Sequence, residues 1–250
     1  MTNERVALVT GATSGIGVTI AEQLVDRGLR VVVTGRSEER GRDVEERLGD
    51  RVRFVRADLT APGAGADIVA RVVELFGRLD VAVNNAAIDH TNDLLEVGEE
   101  EIRTTFETNT FAAMNLLIAA ARQMRDQGDG GAIINVTSRL ASIGVPTMGI
   151  YSASKGAMLA FTKAAAIDLA PHNIRVNAVA PGMTRTPLYQ EWLDGLADPE
   201  AEAKRVAEAI PLGRIAEPAD VAAVVTFLAS PEAAYLTGAS IPVEGGYLAK

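Results

Sequence analysis

Short runs of aliphatic, mostly β-branched residues alternate along the chain with longer segments whose apolar positions recur at helical spacing. Val6 to Val9 is the first run, closed by Thr10-Gly11; Ile16, Ile20 and Leu24 then step at helical intervals, so the opening reads as strand, glycine turn and helix. Val31 to Val33 predicts a second strand, followed by a charged helix from Ser37 to Leu48 with Ser37 as its N-cap. Val52 to Val55 predicts a third strand, Ile68 to Phe76 a helix, and Val81 to Val83 a fourth strand ending in Asn84-Asn85. The second half continues the alternation with a long helix over Glu99 to Gln127, a strand at Ala132 to Val136, a helix from Tyr151 to Ala170 and a strand at Ile174 to Val179. Between Pro181 and Pro218 the pattern gives way to a polar, acidic stretch containing Trp192, too long for a simple connection, and residues 187–211 are read as a lid. A helix at Ala219 to Ala229 and an apolar run at Ile241 to Val243 close the chain. Strands that are apolar throughout need cover on both faces, so the expected fold is α/β, a single doubly wound domain over residues 1–250 with a parallel sheet of about seven strands.

Composition narrows the partners. Apolar residues make up 48% of the 250, ample for one large core, and no charge block or low-complexity tract divides the chain. With 24 basic against 33 acidic residues the net charge is −9, which argues against nucleic acid or an anionic membrane as partner. Cysteine is absent, and His90 and His172 lie far apart with no ligand spacing around either, so neither a disulfide nor a metal site is expected. The longest apolar stretch, Val221 to Ala229, is shorter than the roughly 20 residues that cross a bilayer, and the start of the chain lacks the pattern of a signal peptide, so a cytoplasmic protein is expected.

Thr10-Gly11-Ala12-Thr13-Ser14-Gly15-Ile16-Gly17 falls where the first strand passes into the first helix. Glycines there permit a tight bend and the close approach of a diphosphate, which the helix N-terminus receives with free N–H groups and the positive end of its dipole. The turn therefore predicts a Rossmann-type dinucleotide site at Gly11, Ser14, Gly15, Ile16 and Gly17. The second strand ends Thr34-Gly35-Arg36-Ser37, with a cation and no carboxylate where a ribose-binding acid would stand; Arg36 points to the 2′-phosphate of NADP(H), with Ser37 as a second ligand, and NAD(H) is the alternative. Asp58, past the third strand, suits either the adenine amino group or a turn.

Tyr151 and Lys155 stand four apart, so a helix presents them on one face. A fixed ammonium beside a phenol favours the phenolate and would lower its pKa toward the range of acid/base exchange. Ser138 follows an apolar strand at the edge where open parallel sheets place their ligands. Ile102, Phe106, Asn109, Ala113 and Leu117 recur at helical steps, which puts the Asn109 amide on an apolar stripe where it needs partners.

Taken together, the TGATSGIG turn, NNAA at Asn84 to Ala87, Asn109, INVTS ending at Ser138, YSASK at Tyr151 to Lys155, PGMTRT at Pro181 to Thr186 and the terminal YLTGASIPVEGG resemble the short-chain dehydrogenase/reductase family in its form of about 250 residues, over essentially the whole chain. The resemblance implies that Tyr151 is the general acid/base, that Lys155 lowers its pKa and holds the nicotinamide ribose, that Ser138 bonds the substrate oxygen, and that Asn109 anchors a water leading from Lys155 to solvent. It extends the cofactor set to Leu59, Asn85, Ala86, Pro181, Gly182, Thr184 and Thr186, the last at the carboxamide. It also implies a homotetramer, with the long helix and the Tyr151 helix at one interface and the last strand at another. Ala87 departs from the family's usual glycine and Thr184 from its usual aliphatic residue. The expected activity is NADP(H)-dependent interconversion of a ketone and a secondary alcohol. An NAD-dependent dehydrogenase, a 3-oxoacyl-carrier-protein reductase and a non-catalytic dinucleotide sensor are the alternatives. His90, Arg139, Leu140, Ile143, Leu188 and Trp192 are the expected pocket residues.

Overall fold

In the computed structural model, which describes residues 4–249, the first apolar run is strand β1 (Val6–Val9) and the glycine turn leads into helix α1 (Gly15–Asp26). β2 (Arg30–Gly35), α2 (Glu38–Leu48), β3 (Val52–Arg56), α3 (Ala64–Phe76) and β4 (Val81–Asn84) complete the first half. The second half carries α4 (Glu99–Phe106), α5 (Ala112–Gln127), β5 (Gly131–Val136), α6 (Gly149–Leu169) and β6 (Ile174–Pro181). α7 (Pro187–Asp194), α8 (Pro199–Glu208), α9 (Pro218–Ala229) and β7 (Ser240–Val243) follow. No helix among the described residues is long and apolar enough to cross a membrane.

The seven strands pair in parallel in the order β3-β2-β1-β4-β5-β6-β7. Successive side chains of a strand point to opposite faces, and both faces here are covered. Ala7, Val9, Val31 and Val33 pack with Ile20, Leu24, Val225 and Leu228 of α1 and α9, whereas Val6, Leu8 and Val32 pack with Val72, Leu116, Leu117 and Ala165 of α3, α5 and α6. Each such valine, leucine or isoleucine side chain contributes about 1.5 to 3 kcal/mol on burial. The strand order reverses between β1 and β4, and a crevice opens outside their carboxyl ends.

Three elements differ from the sequence pattern. α3 begins at Ala64 rather than Ile68, because its first turn packs through small residues: a Cβ on Gly65 would lie 3.0 Å from backbone atoms of α5. The helix expected to run unbroken from Glu99 to Gln127 is interrupted by a π-helical turn at Glu107–Phe111. The wider turn rotates the buried face, so Ile102 of the expected stripe is 38% exposed while Thr105, Asn109, Thr110 and Leu116 are buried. The polar stretch after β6 holds two short helices, each opened by proline at its first turn and a side-chain cap, Thr186 for α7 and Asp198 for α8. They pack on their own apolar cluster of Tyr189, Leu193, Ile210 and Ile215.

Candidate active site

The tips of β1 and β4 are laced together. Thr10 Oγ1 accepts from the Asn85 and Ala86 backbone N–H groups at 3.1 and 3.2 Å, and Asn85 Nδ2 donates back to the Thr10 and Gly11 carbonyls at 2.9 and 3.1 Å. Gly11 has φ of +61°, and a Cβ there would sit 2.7 Å from Ala86 Cα; a Cβ on Gly17 would sit 2.5 Å from the Gly11 carbonyl oxygen. Both positions thus exclude any side chain, and the cradle they leave at the start of α1 has the shape and free N–H groups that a diphosphate needs. Ser14 occupies the α1 N-cap without capping it, so the first-turn N–H groups stay open, while Ile16 packs against the core. Thr186 reaches the cradle from the opposite side, its methyl 3.5 Å from a Cβ built on Gly15. It is held there by the β6 exit, where the Gly182 N–H donates to Val243 O at 2.8 Å, Pro181 is paired with Val243, and buried Thr184 donates to Gly182 O at 3.1 Å.

At the adenosine end, Arg36 is exposed and forms no ion pair among the described residues, though its charge helps hold the Asp58 carboxyl below its usual range. The larger cause of that lowering is Thr60, whose hydroxyl and N–H donate to Asp58 at 2.7 and 3.0 Å. Asp58 is therefore a turn residue in geometry, and Ser37 an N-cap accepting from Arg40 N at 3.3 Å. Leu59 packs on the sheet below.

α6 carries both the phenol of Tyr151 and the ammonium of Lys155. Lys155, 3% exposed, sends Nζ to Val136 O at 3.1 Å and lies 5.6 Å from the Tyr151 ring centre. Burial pushes the Tyr151 phenol up to about 12; the Ser138 hydroxyl acts in the opposite direction by hydrogen-bonding it, and the negative charge of Asp89 adds to the rise. Burial likewise pushes Lys155 down to about 8. The expected lowering of the phenol pKa by Lys155 is thus not what this structure shows. Desolvation disfavours the charged form of each partner, and burial is the leading cause of both shifts.

Asn109 sits in the π-helical turn, 2% exposed. Its Oδ1 accepts from Ile88 N at 2.8 Å and its Nδ2 donates to Ile88 O at 2.7 Å and to Ser154 Oγ at 3.1 Å. The amide pairs with Ile88 as a neighbouring strand would, and fixes the loop after β4 to the helix of Tyr151. A second buried chain runs from Asn84 Nδ2 to Asn135 Oδ1 and from Asn135 Nδ2 to Thr162 Oγ1, each 2.8 Å. Asn109→Ala strands the Ile88 N–H and carbonyl together and should lower stability by about 2 to 4 kcal/mol in urea unfolding; an unchanged midpoint would exclude the clamp.

With this geometry in view, three comparisons bear on identity. A family model described as enoyl-(acyl carrier protein) reductase matches residues 11–248. The chain is 39% identical to the short-chain reductase protein NovJ of Streptomyces niveus, over 98% of this chain and 95% of that one. The chain belongs to the short-chain dehydrogenase/reductase family. It is also 36% identical to an NADP-dependent (R)-specific alcohol dehydrogenase of Lentilactobacillus kefiri, over 98% and 97% of the two chains. A solved variant of actinorhodin polyketide ketoreductase with NADPH superposes with a TM-score of 0.93 at 35% identity, covering 99% of this chain and 98% of that one.

The substrate side of this short-chain dehydrogenase/reductase differs in part from expectation. Arg139 lies over the Tyr247 ring at 4.0 Å and within the field of Glu244, so its cation is turned to the C-terminal segment rather than offered to an anionic substrate. His90 Nδ1 is 2.7 Å from Thr105 Oγ1. Trp192 stands in the groove between α7 and α8 with Leu196 and Asp198, its ring 5.8 Å from Tyr189. Leu188 is 51% exposed on α7, Ile143 is half-buried, and the Leu140 N–H donates to Ser138 Oγ at 3.1 Å. Sequence reasoning missed Thr10, Asn135 and Thr162, whose hydrogen bonds join distant strands, and Asp89, which differs from any loop aspartate only in being half-buried beside the phenol.

Proposed function

We propose that the protein is an NADP(H)-dependent oxidoreductase interconverting a ketone and a secondary alcohol, with Tyr151 as general acid/base. The observation that carries this reading is the convergence of the Ser138 and Tyr151 hydroxyls and the Lys155 ammonium on the sheet edge that also bears the glycine cradle. The excluded Cβ positions at Gly11 and Gly17, the open α1 N-terminus and the unpaired Arg36 fit a dinucleotide with a 2′-phosphate. The NADP named for the alcohol dehydrogenase relative and the NADPH named for the ketoreductase support the same choice. When bound, the nicotinamide supplies or accepts the hydride.

The chain's own residues do the rest. Ser138 and Tyr151 donate hydrogen bonds to the substrate oxygen. As negative charge develops on that oxygen, the phenol proton moves to it, and in the reverse direction the phenolate takes it back. A phenolate at a site that pushes its pKa up needs a cation, and Lys155 is the ammonium placed to provide one and to hold the ribose hydroxyls.

The test is a panel of neutral ketones and secondary alcohols assayed with NADP(H) and with NAD(H). Turnover with NADP(H) is expected, and Arg36→Ala should reduce the NADP over NAD ratio of kcat/KM by about 10-fold or more, the scale of a charge-assisted phosphate contact. Binding without turnover across the panel would sink the catalytic reading, and an unchanged ratio would sink the role of Arg36.

A further inference from the structure

We propose that Tyr247 is a positioning residue whose ring ties the turn carrying Ser138 to helices α7 and α8, so that the substrate-oxygen donor is held in place while those helices are docked. The inference rests on the reading of Ser138 and Tyr151 as the groups that bond the substrate oxygen, and it adds the device that aligns one of them.

Ser138 stands between two anchors. On the strand side Thr137 donates twice to Val179 O of β6, from N at 2.8 Å and from Oγ1 at 3.0 Å. On the other side Ser138 opens the short turn Arg139–Ala141, its Oγ accepting from the Leu140 N–H at 3.1 Å and its carbonyl from the Ala141 N–H at 3.0 Å. The guanidinium of Arg139 lies over the Tyr247 ring, 4.0 Å from its centre, and forms no salt bridge among the described residues. Both side chains are half-buried, where a cation is held on an aromatic face more firmly than in open solvent, and the planar guanidinium stacks with a defined orientation. A swing of the ring therefore moves Arg139, and with it the turn that Ser138 caps.

The same ring packs against the cluster of Tyr189, Leu193, Ile210 and Ile215, which Ala203 and Val206 of α8 also join. The backbone that presents Tyr247 is fitted closely to the end of this unit. Gly245 O accepts from the Leu212 N–H at 3.1 Å, and a Cβ on Gly245, whose φ is +68°, would lie 2.5 Å from Cγ2 of buried Ile210. It is fitted as closely to the exit of β6, where a Cβ on Gly182 would lie 2.8 Å from Glu244 Cβ. The Glu244 carboxylate accepts from the Leu248 N–H at 2.9 Å and secures the turn Tyr247–Ala249. Tyr247 thus has one contact on the Ser138 turn and another on the helices after β6. Undocking of α7 and α8 would leave the ring unsupported and loosen the hold on Ser138.

The experiment joins amide hydrogen exchange over residues 187–208, the span of α7 and α8, with steady-state reduction of a ketone from the neutral panel by NADPH. Arg139→Met and Tyr247→Leu are each expected to speed that exchange and to lower kcat by about fivefold, the scale of one partly desolvated cation–π contact, with KM for NADPH within about twofold of wild type. Tyr247→Phe keeps the ring and should stay within about twofold of wild type in both readouts. The double variant should lose no more than Tyr247→Leu alone, because Arg139 acts through the ring. Unchanged exchange over 187–208 or unchanged kcat in Arg139→Met would overturn the proposal, as would a double variant whose loss is the product of the two single losses. Absence of turnover by the wild type across the panel would instead overturn the oxidoreductase reading and this inference with it; exchange, which needs no turnover, tells that failure from a broken link.

Discussion

Tyr151→Phe is expected to lose turnover by about a thousandfold, the middle of the range for removal of a general acid/base, while the affinity for NADP(H) stays within a few-fold of wild type. The ring of Tyr151 keeps its packing in the variant, and Lys155 keeps its bond to Val136, so the fold has no reason to change. Only the proton is lost. Ser138 can still donate to a substrate oxygen, but an aliphatic hydroxyl is a far weaker acid than a phenol and does not replace the proton donor. Steady-state kinetics with fluorescence titration of NADPH separate the two effects. Residual kcat within tenfold of wild type would remove Tyr151 from its role. Because the phenol pKa is pushed up to about 12, the protonated form that reduction needs is present throughout the neutral range, and oxidation gains from rising pH.

Lys155→Met is expected to separate activity from stability, with opposite signs. Turnover should fall by about 100-fold or more, since the phenolate loses its cation. The fold should become more stable at neutral pH. Lys155 is buried, and its pKa lies near 8 in the folded chain against 10.5 in the unfolded one, so the unfolded state binds the extra proton between those values. Stability attached to the neutral amine is therefore fully present above 10.5 and is lost as pH falls through 8, leaving a buried ammonium as a cost at pH 7. Methionine fills similar space without the charge, and a gain of about 1 to 3 kcal/mol follows for the variant. Chemical denaturation across pH 7 to 10 checks it: the advantage of the variant should shrink as wild-type Lys155 loses its proton. Tyr151 works the other way, its contribution present below 10.0 and lost as pH rises toward about 12. A less stable variant at pH 7 would show that the bond to Val136 outweighs desolvation.

Most strand positions were legible because both faces of the sheet are buried, so aliphatic runs such as Val31 to Val33 carried the pattern. The glycine turn was legible for a different reason, since Gly11 and Gly17 stand where backbone contacts forbid a Cβ. What stayed hidden depends on contacts between distant segments. The π-helical turn at Asn109 has no spacing signature, and it showed itself in the sequence only as a polar residue on an apolar stripe. The orientation of Arg139 is set by Tyr247, more than a hundred residues away, and the environment of Asp89 by α6 and α7. Helices α7 and α8 were concealed by length, for each is short, and their apolar residues serve a small cluster rather than the main core.

The parallel order of the strands also governs when the nucleotide can take part in folding. No strand meets its sheet neighbour through a hairpin, and the contacts that seal the cradle, Thr10 with Asn85, span 75 residues. Pairings of such separation must close long loops before any contact rewards them, which makes assembly of the sheet slow relative to its helices. During synthesis the glycine turn emerges well ahead of the strand that completes it. The dinucleotide therefore has nothing to bind until β1 and β4 are side by side, and it acts by holding the finished chain through mass action, without assisting the steps that build it.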